Sequence, residues 1–214
     1  MAEPLDYATI TEIFRRFHAA EPEPKGELVH TNAFTLLVAV ALSAQATDKG
    51  VNRATEALFR IADTPGKMLA LGEEGLIEHI RTIGLYRNKA KHVIRLSQML
   101  VDRFGGEVPS SRAALMSLPG VGRKTANVVL NMWWRHPAQA VDTHIFRVAN
   151  RTRVAPGKDV AAVERAIEDQ VPAPYQLHAH HWLILHGRYT CKARKPACGA
   201  CLISDLCPWE DKTA

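Results

Sequence analysis

The sequence predicts an all-α fold, on three observations. Apolar residues recur with helical period along nearly the whole chain. Alternating strand patterns bounded by hairpin turns are absent. The segments between periodic runs have ordinary loop lengths. Ile10, Ile13, Phe14 and Phe17 form the first stripe. Residues 34–46 are apolar on nearly all sides, which predicts a central, buried helix. Val51, Ala54, Leu58 and Ile61 make the next stripe, with Thr47 or Asp48 available as N-cap. Thr64 and Pro65 open a short helix, proline suiting its first turn, and residues 73–80 form another. The long run Tyr86–Phe104 turns Ala90, Val93, Ile94, Ser97, Leu100 and Phe104 inward and ends at Gly105 and Gly106. Helices over 111–117 and Arg123–Trp134 flank a turn, and helices over 142–152, 159–171 and 174–189 complete the order. No long linker, repeat or low-complexity tract interrupts it.

A chain of 214 residues has room for one large domain or two small ones. The net charge of +5 and pI of about 9.1 permit nucleic-acid binding without demanding it. The start MAEPLDYATI has neither the pattern of a signal peptide nor that of a transit peptide, and the longest apolar run, 34–41, is too short to span a bilayer. These features predict a soluble cytoplasmic protein with no membrane association, in a compartment where free thiolates survive to bind metal.

All the cysteines fall in the last stretch, spaced Cys191-x6-Cys198-x2-Cys201-x5-Cys207. Four thiolates in one short segment make a tetradentate site for a soft metal centre. Structural zinc usually shows two close pairs, and here only Cys198 and Cys201 are close. Two disulfides suit a small secreted domain, which this is not. A [4Fe–4S] cluster tolerates wider, uneven spacing. Spacing alone leaves cluster and zinc both open. Arg188, Lys192, Arg194 and Lys195 flank or lie between the first two cysteines, a basic ring suited to an anionic partner, though a charge run by itself reads better as a solvated loop.

Between two helical segments stands Leu118-Pro119-Gly120-Val121-Gly122-Arg123-Lys124-Thr125. Pro119 stops the first helix, and Gly120 and Gly122 allow backbone geometry that side chains would forbid. The turn amides then face outward at the start of the next helix, an anion site of backbone N–H groups. The spacing of a nucleotide-binding P-loop is absent and no strand precedes it. A hairpin gripping a DNA phosphate through Gly120, Val121, Gly122 and Arg123 fits better, and would not by itself read sequence.

The hairpin LPGVGRKTANVVLN, the following AVDTHIFRVANRT and the cysteine pattern together resemble the helix-hairpin-helix DNA glycosylases, and within them the endonuclease III branch. The likeness extends through Leu42-Ser43-Ala44-Gln45-Ala46-Thr47-Asp48, Ile83-Gly84-Leu85-Tyr86 and His181-Trp182-Leu183-Ile184-Leu185-His186-Gly187, in the family's order. The resemblance implies a [4Fe–4S] cluster over zinc, held by Cys191, Cys198, Cys201 and Cys207. It implies two all-α domains: a six-helix barrel over 25–136 carrying the hairpin, and a cluster domain from 1–24 and 137–214. The cleft between them would hold Lys124 facing Asp142.

The resemblance also implies base excision repair on duplex DNA carrying a damaged or abasic nucleotide. Lys124 would attack the sugar C1′ and Asp142 would assist, with strand cleavage by β-elimination through a lysine Schiff base. On residues alone, Lys124 in a first helical turn reads as a phosphate-binding lysine, and Asp142 as an N-cap. A nucleophilic role needs the lysine pKa to fall, which partial burial and a helix N-terminus would favour. A stacked base must be flipped out. Gln45 and Leu85, with Ile83 beside Leu85, match the family's gap-filling residues, and His144 stands where it could line the pocket. Lys192, Arg194 and Lys195 would meet DNA. Mismatch-specific adenine glycosylases use a glutamate in the early buried helix, where this chain reads Leu36-Leu37-Val38-Ala39-Val40. A monofunctional mismatch glycosylase of the same superfamily, a non-catalytic helix-hairpin-helix DNA-binding protein and a ferredoxin-type electron carrier are the other readings. His178, His180, His181 and His186 read as packing residues rather than a second metal site, and Trp133, Trp134, Trp182 and Trp209 as core or edge residues. A monomer associated with the bacterial nucleoid is expected.

Overall fold

The computed structural model describes residues 3–213, and its regular elements are all helical. It divides into two compact units, one of Glu27–Trp134 and the other of Met1–Gly26 with Arg135–Ala214.

The unit Glu27–Trp134 holds six helices: α2 (Ala33–Leu42), α3 (Asp48–Ile61), α4 (Pro65–Ile80), α5 (Tyr86–Phe104), α6 (Arg112–Met116) and α7 (Arg123–Trp134). Helix α2 starts at a capping box in which Asn32 accepts from the Thr35 amide at 2.8 Å. Eight of its ten residues are buried, which suits a helix apolar all round. It ends at Leu42, not at residue 46, because Gln45 takes a left-handed backbone (φ 56°) that no α-helix continues. Thr47, rather than Asp48, caps α3 by accepting from the Gly50 amide. Ile61, expected in its inward stripe, is 52 % exposed at the last turn. Gly72 (φ 73°) breaks α4 into the two short helices anticipated around it. Gly105 (φ 61°) ends α5, its amide bonding the Leu100 carbonyl side of the last turn.

In the second unit, α1 (Tyr7–Ala20) turns Ile10, Ile13, Phe14 and Phe17 into a core shared with α8 (Thr143–Thr152), α9 (Val160–Gln170) and α10 (Gln176–Leu185). Trp182 lies in that core and donates Nε1 to the Glu21 carbonyl at 2.8 Å. Helix α10 runs into a π-helical turn, His186–Thr190, which delivers the chain to Cys191. Wide helical turns of this kind recur at functional sites. Arg16 of α1 ties down the cysteine segment, donating to the Leu202 carbonyl at 2.9 Å and to Asp205 at 2.6 Å.

Candidate functional site

In the unit Glu27–Trp134, two exposed non-glycine residues have left-handed backbones, Gln45 (φ 56°) and Leu85 (φ 61°). Leu85 is 58 % exposed and stands at the head of α5 with no side-chain cap. A bulky leucine held there costs of order 1–3 kcal/mol, which surrounding structure must sustain. The two loops abut: a Cβ added to Gly84 would lie 3.8 Å from the Gln45 carbonyl. Ile83, by contrast, is 4 % exposed. It anchors the loop in the core beneath Leu85 and does not itself project.

The hairpin joins the same helix. Gly120 has φ 77°, and a Cβ there would meet Cβ of His92 on α5 at 2.8 Å, so glycine is required twice over. Gly122 differs from expectation: a Cβ there would touch nothing within 4 Å, so the fold does not demand glycine. What glycine leaves is open space before the start of α7. Val121 also differs. Its side chain is 5 % exposed and its amide donates to the Leu118 carbonyl at 3.1 Å, closing the turn. The outward donors therefore begin after it. Gly122 carries the first helical acceptor, for Ala126 at 2.9 Å, so the first-turn amides of α7 look to partners outside the helix. Arg123 and Lys124 stand in that turn, which itself holds no acidic residue. Both are exposed, so the partial burial expected for Lys124 is absent.

Asp142, in the other unit, caps α8. Its Oδ1 accepts from the amides of His144 and Ile145, both at 2.9 Å. The bonds fix the carboxylate at the helix start. His144 is half-buried, and its Nδ1 lies 3.3 Å from Nη2 of Arg147. The same arginine donates to the carbonyls of Gly187, at 2.7 Å, and Cys191, at 3.0 Å. Gly187 is closely covered, since a Cβ there would approach Cβ of His144 at 2.9 Å.

Cys191, Cys198, Cys201 and Cys207 line one pocket, and none of them is in a disulfide. No described carboxylate lines it; Arg151, His186, Trp209 and Lys212 do. Burial pushes the Cys201 and Cys207 thiols up, and like charge from the other cysteines adds to the shift. Thiols raised in this way ionise readily only if cations come beside them. Four cysteine sulfurs in a lining without a carboxylate suit a soft metal centre. His186 Nε2 is 3.7 Å from Cys201 Sγ, and its ring packs edge-on against Phe17. Lys192, Arg194 and Lys195 are exposed on the segment, Lys195 with φ 50°.

Sequence reasoning passed over three residues. Arg147 and Arg151 lie one turn apart on α8, and that i, i+4 pair after Asp142 was the available signal. Lys89 gave none, because a lysine in a helical pattern reads as solvated. It is 7 % exposed, its Nζ has no hydrogen-bond partner among the described residues, and burial draws its pKa below that of ordinary lysine.

Two family models match the chain. The family model described as HhH-GPD superfamily base excision DNA repair protein matches residues 38–173. That described as the iron-sulfur binding domain of endonuclease III matches residues 191–207. The chain is 57 % identical over 203 residues to endonuclease III of Treponema pallidum, covering 95 % of this chain and 96 % of that one. It is 56 % identical over 201 residues to endonuclease III of Escherichia coli K12, covering 94 % and 95 %. Among solved structures it is similar to a trapped endonuclease III–DNA covalent intermediate, an estranged-adenine complex, with TM-score 0.88 and 44 % identity over 95 % of this chain and 96 % of that one. A thermostable thymine-DNA glycosylase, at 24 % identity and TM-score 0.80 over 95 % and 94 %, shares the fold.

Proposed function

Since the chain belongs to the HhH-GPD superfamily of base excision DNA repair proteins, and within it to the endonuclease III family, we propose that it removes oxidised pyrimidines from duplex DNA and then cuts the strand as an AP lyase. It is a DNA glycosylase of base excision repair, acts on DNA and carries a [4Fe–4S] cluster. The damaged nucleotide is rotated out of the stack. Leu85 wedges into the gap and Gln45 hydrogen-bonds the orphaned base. Lys124 Nζ, deprotonated, attacks C1′ while the N-glycosidic bond breaks and the base leaves with its electron pair. The Asp142 carboxylate stabilises the positive charge on the sugar and takes the amine proton. The C1′–O4′ bond then breaks, O4′ taking the proton from Asp142, and the nitrogen lone pair forms the C1′=N Schiff base; this acidifies C2′–H, whose loss expels the 3′ phosphate by β-elimination. First-turn amides of α7, with Arg123, hold a backbone phosphate. Lys192, Arg194 and Lys195 add a salt-sensitive contact. Cys191, Cys198, Cys201 and Cys207 would hold the cluster, and through those bonds the basic segment would be braced. The enzyme works as a monomer on nucleoid DNA in the cytoplasm.

The observation that carries this reading is the pair Gln45 and Leu85: exposed, left-handed and on abutting loops, one of which leads into α5, the helix the hairpin packs on. Borohydride trapping on duplex DNA with one thymine glycol tests it, with Lys124→Ala as control. A covalent adduct from the wild-type protein alone is expected. An adduct on an abasic site but not on the lesion would overturn the substrate, and none on either would overturn the lyase.

A further inference from the structure

We infer that Arg151 is a positioning residue of the [4Fe–4S] centre, which clasps the cysteine segment at both ends and sets a fixed positive charge against its thiolates. The inference rests on the reading of the four cysteines as the cluster ligands. Arg151 sits in the last turn of α8. Its Nη1 donates to the Lys192 carbonyl at 2.7 Å and reaches Cys191 Sγ at 3.7 Å. Its Nη2 donates to the Ala193 carbonyl at 3.1 Å. The guanidinium carbon lies 4.1 Å from the centre of the Trp209 ring, and the Arg151 carbonyl lies 3.9 Å from Cys207 Sγ. One residue thus holds the chain at the first ligand, 191–193, and at the last, 207–209. Between those ends the only regular structure is a short 3-10 turn, Cys198–Ala200. Helix packing alone does not hold such a segment, so its ends need a fastening.

The chemistry suits arginine and no other side chain. The planar fork reaches two carbonyls and a sulfur at once, while its face lies on an indole. A lysine offers charge without fork or face. The charge matters because a cluster held by four thiolates is anionic. A cation beside it favours the electron-richer state and raises the reduction potential, and donors to the sulfurs act in the same sense. Clasp and charge are therefore separable functions of one side chain.

The test uses the full-length cluster-loaded protein and three variants, Arg151→Gln, Arg151→Lys and Trp209→Leu. Two readouts are followed: the rate of cluster bleaching under air with an iron chelator, and the midpoint potential by voltammetry. Arg151→Gln should bleach about tenfold faster or more, with its potential moved negative. Arg151→Lys should keep the potential near wild type yet bleach fast, and Trp209→Leu should do the same. A wild-type rate and potential in Arg151→Gln would overturn the inference. So would equal potentials in the Gln and Lys variants. Should Arg151→Gln fail to fold, an unchanged bleaching rate in Trp209→Leu overturns it. Wild-type protein purified without iron or sulfide would sink the ligand reading itself, and the inference with it.

Discussion

Leu85 shows how one residue can serve function against stability. Its left-handed backbone is strained and its side chain is 58 % exposed, so the fold gains little from it. Leu85→Gly should therefore leave stability unchanged or raise it by up to about 1 kcal/mol, the strain released offsetting glycine's larger chain entropy. Base excision should fall, because nothing then wedges the duplex. Denaturant melts and single-turnover excision on a thymine glycol duplex measure the two effects, and a loss of stability with full activity would contradict the assigned role. Sequence reading reached Gln45 and Leu85 only through the family motifs. Taken by themselves, Leu85 reads as core and Gln45 as surface, because backbone strain leaves no mark on hydropathy. Lys124 was found the same way, and its exposure was misjudged, since one residue in a first turn can face either way.

At the scale of elements, the hairpin separates two glycines of different purpose. Gly120→Ala places a Cβ 2.8 Å from His92 on α5 at φ 77°, and should cost about 2 kcal/mol or more. Gly122→Ala meets no atom within 4 Å and should cost less than about 1 kcal/mol. The second should nonetheless weaken DNA binding, because its methyl occupies the space where a phosphate meets the α7 amides. Urea melts paired with salt-dependent DNA titrations check the contrast; equal binding by wild type and Gly122→Ala would remove the phosphate from that position. The helices themselves were legible because period and caps agree: Asp6, Asn32, Thr47, Thr64 and Asp159 each accept from a first-turn amide. The end of α2 and the π turn at His186–Thr190 were not legible. Both depend on backbone conformations that apolar spacing does not encode.

For the whole molecule, acid should act first on the unit that holds the cysteines. His181 is 6 % exposed, and neither ring nitrogen has a hydrogen-bond partner among the described residues. Burial, with the charge of His178 second, holds its pKa down at about 4. His186, also buried, is held at about 4 and acts in the same direction. The sign follows from which state takes the proton. Above the unfolded value, near 6.5, both states are neutral and the stability is fully present. As pH falls below it, the unfolded chain binds a proton that the folded histidine refuses. Stability is then lost through the folded pKa, to about 3 kcal/mol in all from His181. By about pH 5 the loss should be about 2 kcal/mol, and His181→Gln should lack it. Urea melts at neutral pH and at about pH 5 decide the matter, with cluster absorbance followed in parallel so that acid loss of iron is not read as histidine titration. If wild type and His181→Gln lose stability equally while both keep the cluster, His181 is not the acid-sensitive group. His181 and His186 both lie in the unit that holds the cysteines, so the unit Glu27–Trp134 should keep its helices when the cysteine-bearing unit melts. Acid would then remove the capping carboxylate Asp142 from its fixed place while leaving the hairpin and Leu85 folded, so DNA binding should outlast excision as pH falls.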